Sequence, residues 1–243
     1  MFKEKRTFVI ILVAFLIFVS MSDFTGFLSN ETRGTVISGG HITADTTWDT
    51  AGDPYLIEGD VIVDFGVTLT IEPGVRVRFK QNLYLYVVGN LTALGSAADP
   101  ITLTADVGNN LGHWRSIRIN ASGHLRMNHC EIKHAKNAIY LFHSQGNTIE
   151  NTSISQSSTY GIYARESDET KVKNCDLGPN NWIGIYIHRS LYGEVEGCSA
   201  FMNDFQGIAV SESSHITITN TDAYNNNQNG LHVFESSDVT VSG

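Results

Sequence analysis

Two glutamates near the carboxyl end, Glu212 and Glu235, have a spacing that suits acid–base chemistry. They lie 23 residues apart, and each follows a short alternating apolar run. If 23 residues form one turn of a stacked coil, the two side chains lie about 4.8 Å apart. Because a retaining glycosidase holds its two carboxyl groups about 5 Å apart, this pair is a candidate catalytic site.

A structural interpretation of the same glutamates is favoured over catalysis. Glu166, Arg189 and Glu212 alternate in charge at the 23-residue spacing. Opposite charges on neighbouring strands stabilise a sheet, whereas like charges destabilise it. The pattern therefore predicts a charge ladder along stacked coils.

Aromatic and basic residues form a candidate ligand-binding surface. Its three tyrosines share one 23-residue register, and an arginine precedes the first of them by 22 residues. Rings at coil spacing offer apolar area to sugars, while arginine and histidine supply hydrogen-bond donors. The pattern predicts a site for an extended polysaccharide, with mutual packing of the rings as the alternative. The predicted site residues are Arg118, Tyr140, Tyr163, Arg165, Tyr186 and His188.

Histidine and cysteine patterns indicate neither a metal site nor a cofactor. Four histidines between residues 124 and 143 follow no ligand spacing, and the chain has no Cys-x-x-Cys motif. Cys130, Cys175 and Cys198 share an inward register, which favours core packing. A bridge between Cys175 and Cys198 stays open, since neighbouring coils lie within reach of a disulfide.

A 23-residue repeat must position all of these residues. A fixed period of this size is typical of stacked repeats. Each repeat holds three short runs in which apolar and polar residues alternate, as in strands with one buried face. Leucine-rich repeats have a similar period, but the leucine spacing is absent and the connecting segments are poor helix formers. One register that carries the repeat is Ile139, Ile162, Ile185, Ile208 and Leu231.

We therefore predict an all-β fold, a right-handed parallel β-helix with three short strands in each coil of about 23 residues. Its core should include Ile139, Leu141, Ile162, Ile185, Ile187, Ile208, Val210, Leu231 and Val233. A turn should recur at Asn151, Asn174, Gly197 and Asn220, because Asn and Gly tolerate left-handed backbone.

The pattern Asn-x-x-Leu, Gly-Ile-x-Ile and Ser resembles the repeats of the pectate-lyase-like family of right-handed β-helix proteins. The segments Gly66–Gly74 and Gly89–Gly95 resemble the lead-in module of bacterial and archaeal surface members. The resemblance implies the fold, and it implies polysaccharide lyase, hydrolase or epimerase activity only where carboxylates or a basic residue cluster on adjacent coils. The lead-in module implies structure rather than catalysis.

Charge and the amino-terminal segment bear on the cellular location. The net charge of −9 disfavours a nucleic-acid partner. Residues 1–22 combine three basic residues with an apolar run from Phe8 to Val19, which is typical of a cleaved export signal or an uncleaved membrane anchor. Residues 23–53 are expected to form a lead-in or cap, and residues 54–243 the β-helix, truncated at the carboxyl end. The oligomeric state is not indicated.

The sequence thus favours a secreted or cell-surface module for binding or adhesion, with extracellular polysaccharide as the expected partner. The alternative is a polysaccharide-active enzyme of the same fold. A carboxylate cluster with a basic partner would favour the enzyme, and an aromatic face with charge ladders would favour binding.

The export signal leads to a direct prediction. Protein isolated from the native host should begin near Asp23 if the signal is cleaved, or should retain residues 1–22 as a membrane tether. Amino-terminal sequencing of secreted and membrane fractions distinguishes the two. Intact chain recovered from the cytosol alone would contradict both.

Overall fold

Alternating apolar and polar residues recur along residues 34–243, the part of the chain that the structure, a computed structural model, describes. The predicted signal or anchor of residues 1–22 lies outside this range. Within it the elements are β-strands, with no helix. Accordingly, this part of the chain holds no apolar helix of membrane-spanning length. In chain order the strands are β1 (Thr35–Ile37), β2 (Gly40–Ile42), β3 (Thr46–Trp48), β4 (Tyr55–Ile57), β5 (Val61–Val63), β6 (Thr68–Ile71), β7 (Arg76–Phe79), β8 (Tyr84–Val87), β9 (Asn90–Leu94), β10 (Ile101–Ala105), β11 (Ser116–Asn120), β12 (His124–Asn128), β13 (Cys130–Lys133), β14 (Ile139–Phe142), β15 (Thr148–Glu150), β16 (Ser153–Ser155), β17 (Tyr160–Arg165), β18 (Lys171–Lys173), β19 (Asp176–Leu177), β20 (Ile183–His188), β21 (Glu194–Glu196), β22 (Ser199–Phe201), β23 (Ile208–Ser211), β24 (Thr217–Thr219), β25 (Asp222–Tyr224), β26 (Leu231–Phe234) and β27 (Thr240–Ser242).

Every third strand belongs to the same sheet, so three parallel sheets of nine strands wind into a right-handed β-helix. The first sheet runs from β1 to β25, the second from β2 to β26, and the third from β3 to β27. Ile162 pairs with Ile139 on one side and with Ile185 on the other. The predicted repeat and fold class are therefore confirmed.

One apolar core fills the coil interior. Seven of the nine predicted core residues are fully buried there, including Ile185 and Ile208. Leu231 packs against the core and is half-buried, while Val233 is 37% exposed. Both lie on β26, onto which no further strand of the second sheet packs within the described residues.

Buried polar side chains form hydrogen-bonded ladders between coils. The amide of Ser167 donates to Ser190 Oγ at 3.0 Å, and the amide of Ser190 donates to Ser213 Oγ at 3.1 Å. Each hydroxyl in turn donates within its own turn, as Ser190 Oγ does to the His188 carbonyl at 3.1 Å. A buried polar group without a partner costs about 1–3 kcal/mol. The serine register is therefore needed to give the buried backbone amides of this turn a hydrogen-bond acceptor.

The cysteines belong to a similar ladder, which confirms their packing role. All three thiols are free and buried. The amide of Cys175 donates to Cys198 Sγ at 3.5 Å, and the amide of Cys198 donates to Thr221 Oγ1 at 3.2 Å. Burial raises the pKa of the Cys130 thiol to about 12.

Left-handed backbone occurs where the sequence predicted it and also where it did not. Asn151, Asn174, Gly197 and Asn220 have φ values of 47°, 51°, 61° and 48°. A second left-handed register holds charged residues, and sequence preference did not reveal it because such residues are uncommon there. This second register comprises His143, Glu166, Arg189, Glu212 and Glu235.

The β-helix begins earlier than the predicted boundary at residue 54. Strands β1, β2 and β3 lie within the predicted lead-in segment of residues 23–53, and each pairs in parallel with the strand one coil later. Trp48 stacks on Tyr55 with ring centroids 5.0 Å apart. The strands of this coil are short and their spacing from the strands of the next coil is irregular. A search for the 23-residue repeat therefore does not detect this coil.

The continuous core predicts the effect of one substitution. Ile185→Asp buries an unpaired charge, so it should cost more than the roughly 2–5 kcal/mol of a buried Ile→Ala change. Chemical denaturation followed by circular dichroism measures the loss. Asn181→Asp is the matched control, since it adds the same carboxylate to an exposed position in the same coil. Equal stability of the two variants would contradict the inward orientation of Ile185.

Candidate functional site

Three tyrosines on the second sheet form a ladder along the outside of the β-helix. Tyr140, Tyr163 and Tyr186 lie on β14, β17 and β20, in direct register. The ring centroids of Tyr140 and Tyr163 lie 5.0 Å apart with planes 2° from parallel, and those of Tyr163 and Tyr186 lie 5.1 Å apart at 6°. Parallel pairing imposes this stacking, because it places equivalent side chains one coil apart.

Arg118 packs against the Tyr140 end of this tyrosine ladder. The Arg118 guanidinium lies 4.8 Å from the Tyr140 ring centroid and 5.3 Å from that of Tyr86. Its Nε donates to Asn120 Oδ1 at 3.0 Å. Cation–π contact holds the guanidinium over the ring, while the side chain stays partly exposed to solvent.

The neighbouring outward register carries the other predicted ligand-binding residues. The Arg165 guanidinium lies 5.6 Å from the Phe142 ring centroid. His188 Nδ1 lies 2.8 Å from Ser211 Oγ, and the Tyr186 hydroxyl lies 2.9 Å from the same oxygen. The structure thus brings the predicted site residues onto one face, here called the aromatic-basic face. It consists of Arg118, Asn120, Tyr140, Phe142, Tyr163, Arg165, Tyr186 and His188.

Ring stacking determines what this face presents to a ligand. The Tyr163 ring stacks between those of Tyr140 and Tyr186. Ala209, which follows Tyr186 in this register one coil later, is fully buried. The sequence pattern predicts that the flat faces of these rings contact sugars. In the structure the ladder instead presents ring edges and phenol hydroxyls, which act as both donors and acceptors.

The electrostatic character of this face differs from that of the whole chain. The chain carries a net charge of −9, yet the strands of the second sheet contain no Asp or Glu within residues 34–243. The first sheet includes Glu131 and Asp176, and the third includes Glu194 and Glu196. The strands of the aromatic-basic face therefore carry two arginines and no carboxylate, and the nearest carboxylates, Glu166 beside Arg165 at 3.5 Å and Glu212 beside His188 at 3.9 Å, lie in the turns that follow the strands.

Burial adjusts the protonation of two groups on this face. Burial, with a contribution from Tyr140, raises the pKa of Tyr163 to about 12. Burial also lowers the pKa of His188, although Glu212 opposes this effect. At neutral pH both side chains are therefore neutral hydrogen-bonding groups, and the positive charge of the face resides on Arg118 and Arg165.

Glu212 and Glu235 lie at the margin of this face, in the left-handed turn register. Glu212 Oε2 accepts from Arg189 Nε at 2.8 Å, and Glu166 Oε1 lies 4.0 Å from Arg189 Nη1. Glu166 also pairs with His143 at 2.8 Å. Hydrogen bonding to Arg189 lowers the pKa of Glu212, so this carboxylate is a poor general acid. The predicted charge ladder is present, and nothing in it requires catalysis.

Two aromatic residues that the sequence interpretation missed extend the face. The Tyr160 ring lies 4.7 Å from that of Tyr163 and 4.9 Å from that of Trp182. Tyr160 pairs with Ile183 in the sheet, so it falls outside the tyrosine register. Only the tertiary structure shows that its ring folds back onto the ladder.

No cluster of three or more histidine, cysteine or carboxylate side chains with the proximity of a metal site occurs in residues 34–243. His134 instead contacts Thr104 through Nδ1 at 3.0 Å, and His124 contacts the Gln145 carbonyl at 2.9 Å. His129 has a φ of 46° and occupies the turn register. These histidines therefore have separate local partners or turn positions.

Residues 115–243 match the family described as right handed beta helix region. The chain belongs to this family. The match covers the aromatic-basic face and the regular 23-residue coils.

Two solved structures and one further protein are similar to this chain over different extents. A double mutant of the periplasmic alginate epimerase AlgG aligns with a TM-score of 0.50 at 13% identity, covering 83% of this chain and 64% of that one. The Azotobacter vinelandii mannuronan C-5 epimerase AlgE4 A-module aligns with a TM-score of 0.48 at 14% identity, covering 84% and 68%. Protein bark beetle of Drosophila melanogaster is 37% identical over 65 residues, which are 27% of this chain and 2% of that protein.

The buried ladder predicts an alkaline transition. Because burial raises the pKa of Tyr163 in the folded protein to about 12 from the ordinary tyrosine value of about 10, its contribution to stability is complete below pH 10 and is lost as pH rises toward 12. Phenolate absorbance and thermal melting between pH 9 and pH 12 should show this in the unmodified protein. Tyr163→Phe should lack the late absorbance step and lose less stability. Superimposable curves for the two proteins would contradict burial of this phenol.

Proposed function

We propose that this protein is an exported β-helix module that binds an extended acidic polysaccharide along the aromatic-basic face without cleaving it. The observation that carries the proposal is that, within residues 34–243, the strands of the second sheet hold Arg118 and Arg165 but no Asp or Glu, in a chain with a net charge of −9. A polyanion is attracted to this strip and repelled by the rest of the surface. The periplasmic epimerase with the same fold acts on alginate, and its location supports export.

Ligand recognition on this face depends on two kinds of contact. Arg118 and Arg165 lie two coils apart along the β-helix, and each guanidinium presents donors that match a carboxylate. Between them, the hydroxyls of the tyrosine ladder meet sugar hydroxyls. The aromatic rings orient both arginines through cation–π contact, so little side-chain freedom remains to be lost on binding.

The proposal favours binding over catalysis because of how the carboxylates are placed. Glu212 is held by Arg189 at the margin of the face, and Glu166 is held between His143 and Arg165. The strands of the face supply no carboxylate. His188 and the Tyr186 hydroxyl share Ser211 Oγ as a hydrogen-bond partner. An enzyme of this fold remains the second candidate, and product analysis in the binding experiment distinguishes it.

Calorimetry with alginate, polygalacturonate and neutral dextran tests the proposal. The two acidic polymers should bind, with affinity that falls as salt is added, and dextran should not. Replacing Arg118 and Arg165 together by Ala should weaken binding by tenfold or more, since hydrogen bonds to charged groups are worth about 1.5–3 kcal/mol each.

A matched control is available on the third sheet. Arg126 and Lys171 are exposed, lie on β12 and β18 in the same two coils, and can be replaced together by Ala. This variant should bind as the unmodified protein does. Equal losses in both double variants would indicate nonspecific attraction and overturn the assignment of the face. Release of unsaturated or reducing ends would move the protein to the enzyme class.

A further inference from the structure

Trp182 differs from the other two tryptophans of the chain. Trp48 and Trp114 are 3% and 0% exposed, whereas Trp182 is 38% exposed. Trp114 stacks on Phe79 in the core at 4.3 Å. An exposed tryptophan within a larger aromatic patch indicates an interaction site more often than an isolated exposed leucine does.

The Trp182 ring extends the aromatic-basic face beyond the amino-terminal end of β20. Its centroid lies 4.9 Å from Tyr160 at 37° and 5.9 Å from Phe205 at 49°. Tyr160 in turn lies 4.7 Å from Tyr163 and 5.7 Å from Tyr186. Rings therefore connect Trp182 to the tyrosine ladder without interruption.

Backbone hydrogen bonds hold this tryptophan in place. The amide of Phe205 donates to the Trp182 carbonyl at 2.9 Å, and the amide of Asn181 donates to the Ser157 carbonyl at 2.9 Å. The segment is thus tied to the coils before and after it. A ring on a fixed backbone binds a ligand with a small loss of conformational entropy.

The tilt of Trp182 leaves apolar ring area that the ladder does not offer. Ladder rings stack within 6° of parallel and cover one another, whereas Trp182 is inclined to both of its neighbours. A pyranose ring has an apolar face of C–H groups even when the sugar carries a carboxylate. Trp182 can contact this face while the arginines bind the acid groups.

We propose that Trp182, supported by Tyr160, forms an apolar subsite for one pyranose ring of the acidic polysaccharide. This inference rests on the proposed function and adds a position that fixes where the polymer crosses the start of β20. Its contribution is apolar contact and sugar orientation. It should therefore be less sensitive to salt than the contribution of Arg118 and Arg165.

Tryptophan emission tests this subsite directly, with alginate as the probe. Because Trp48 and Trp114 are buried, a saturable change in emission on titration reports on Trp182. Trp182→Phe should abolish the emission change. Trp182→Ala should weaken alginate binding in calorimetry by about tenfold or more, the loss typical of a tryptophan contact.

Control measurements separate this inference from the proposed function. Tyr192→Ala removes an exposed ring outside the face and should leave alginate affinity unchanged. Thermal melting should show that Trp182→Ala is folded. If alginate binds with no emission change and with unchanged affinity in Trp182→Ala, the subsite is wrong while the proposed function stands. If alginate does not bind the unmodified protein at all, both fall.

Discussion

Parallel pairing between successive coils is the constraint on which this structure depends. It places each residue beside its equivalents one coil earlier and one coil later, about 4.8 Å away. Each side chain must therefore be compatible with the equivalent side chains on both neighbouring coils, and not with a single partner. Isoleucine columns fill the core, tyrosines stack at 5.0 and 5.1 Å, and charges alternate. Each register satisfies the same condition by a different interaction.

Polar residues inside the coil satisfy this constraint through ladders. Ser190 accepts from the previous coil, and its own amide donates to the next. Asn203 does the same at another corner, where Asn180 donates to it at 3.1 Å. Because a turn leaves backbone groups without strand partners, these side chains replace the missing bonds. Conversely, the same requirement leaves few polar atoms in the interior free for chemistry, so ligand recognition must use the outer surface.

The outer surface of the second sheet departs from the charge pattern of the chain. Elsewhere, acid and base alternate, as where Lys173 pairs with Glu194 and Glu196 at 2.8 Å. On the aromatic-basic face, rings pack against both Arg118 and Arg165, and Glu166 also lies 3.5 Å from Arg165 Nε. Cation–π contacts therefore hold Arg118 in the way that ion pairs hold the basic residues of the third sheet, and they leave its remaining guanidinium donors available. This difference gives the face its affinity for anions in our proposal.

The sequence by itself determined the coil, its period and the inward rows, because in-register stacking makes equivalent residues recur in the printed order. It also determined the turn at Asn151, Asn174, Gly197 and Asn220 and the residues of the tyrosine ladder, since both registers recur in every successive coil. Only the tertiary structure showed the first coil, whose strands β1 and β2 depart from the 23-residue period, and the place of Tyr160 beside the ladder. It also decided that the ladder presents edges rather than faces and that Glu212 is bound by Arg189. The physical reason is that repetition fixes which residues are neighbours, whereas ring tilt, side-chain pairing and solvent exposure depend on distances and angles that no spacing in the sequence records.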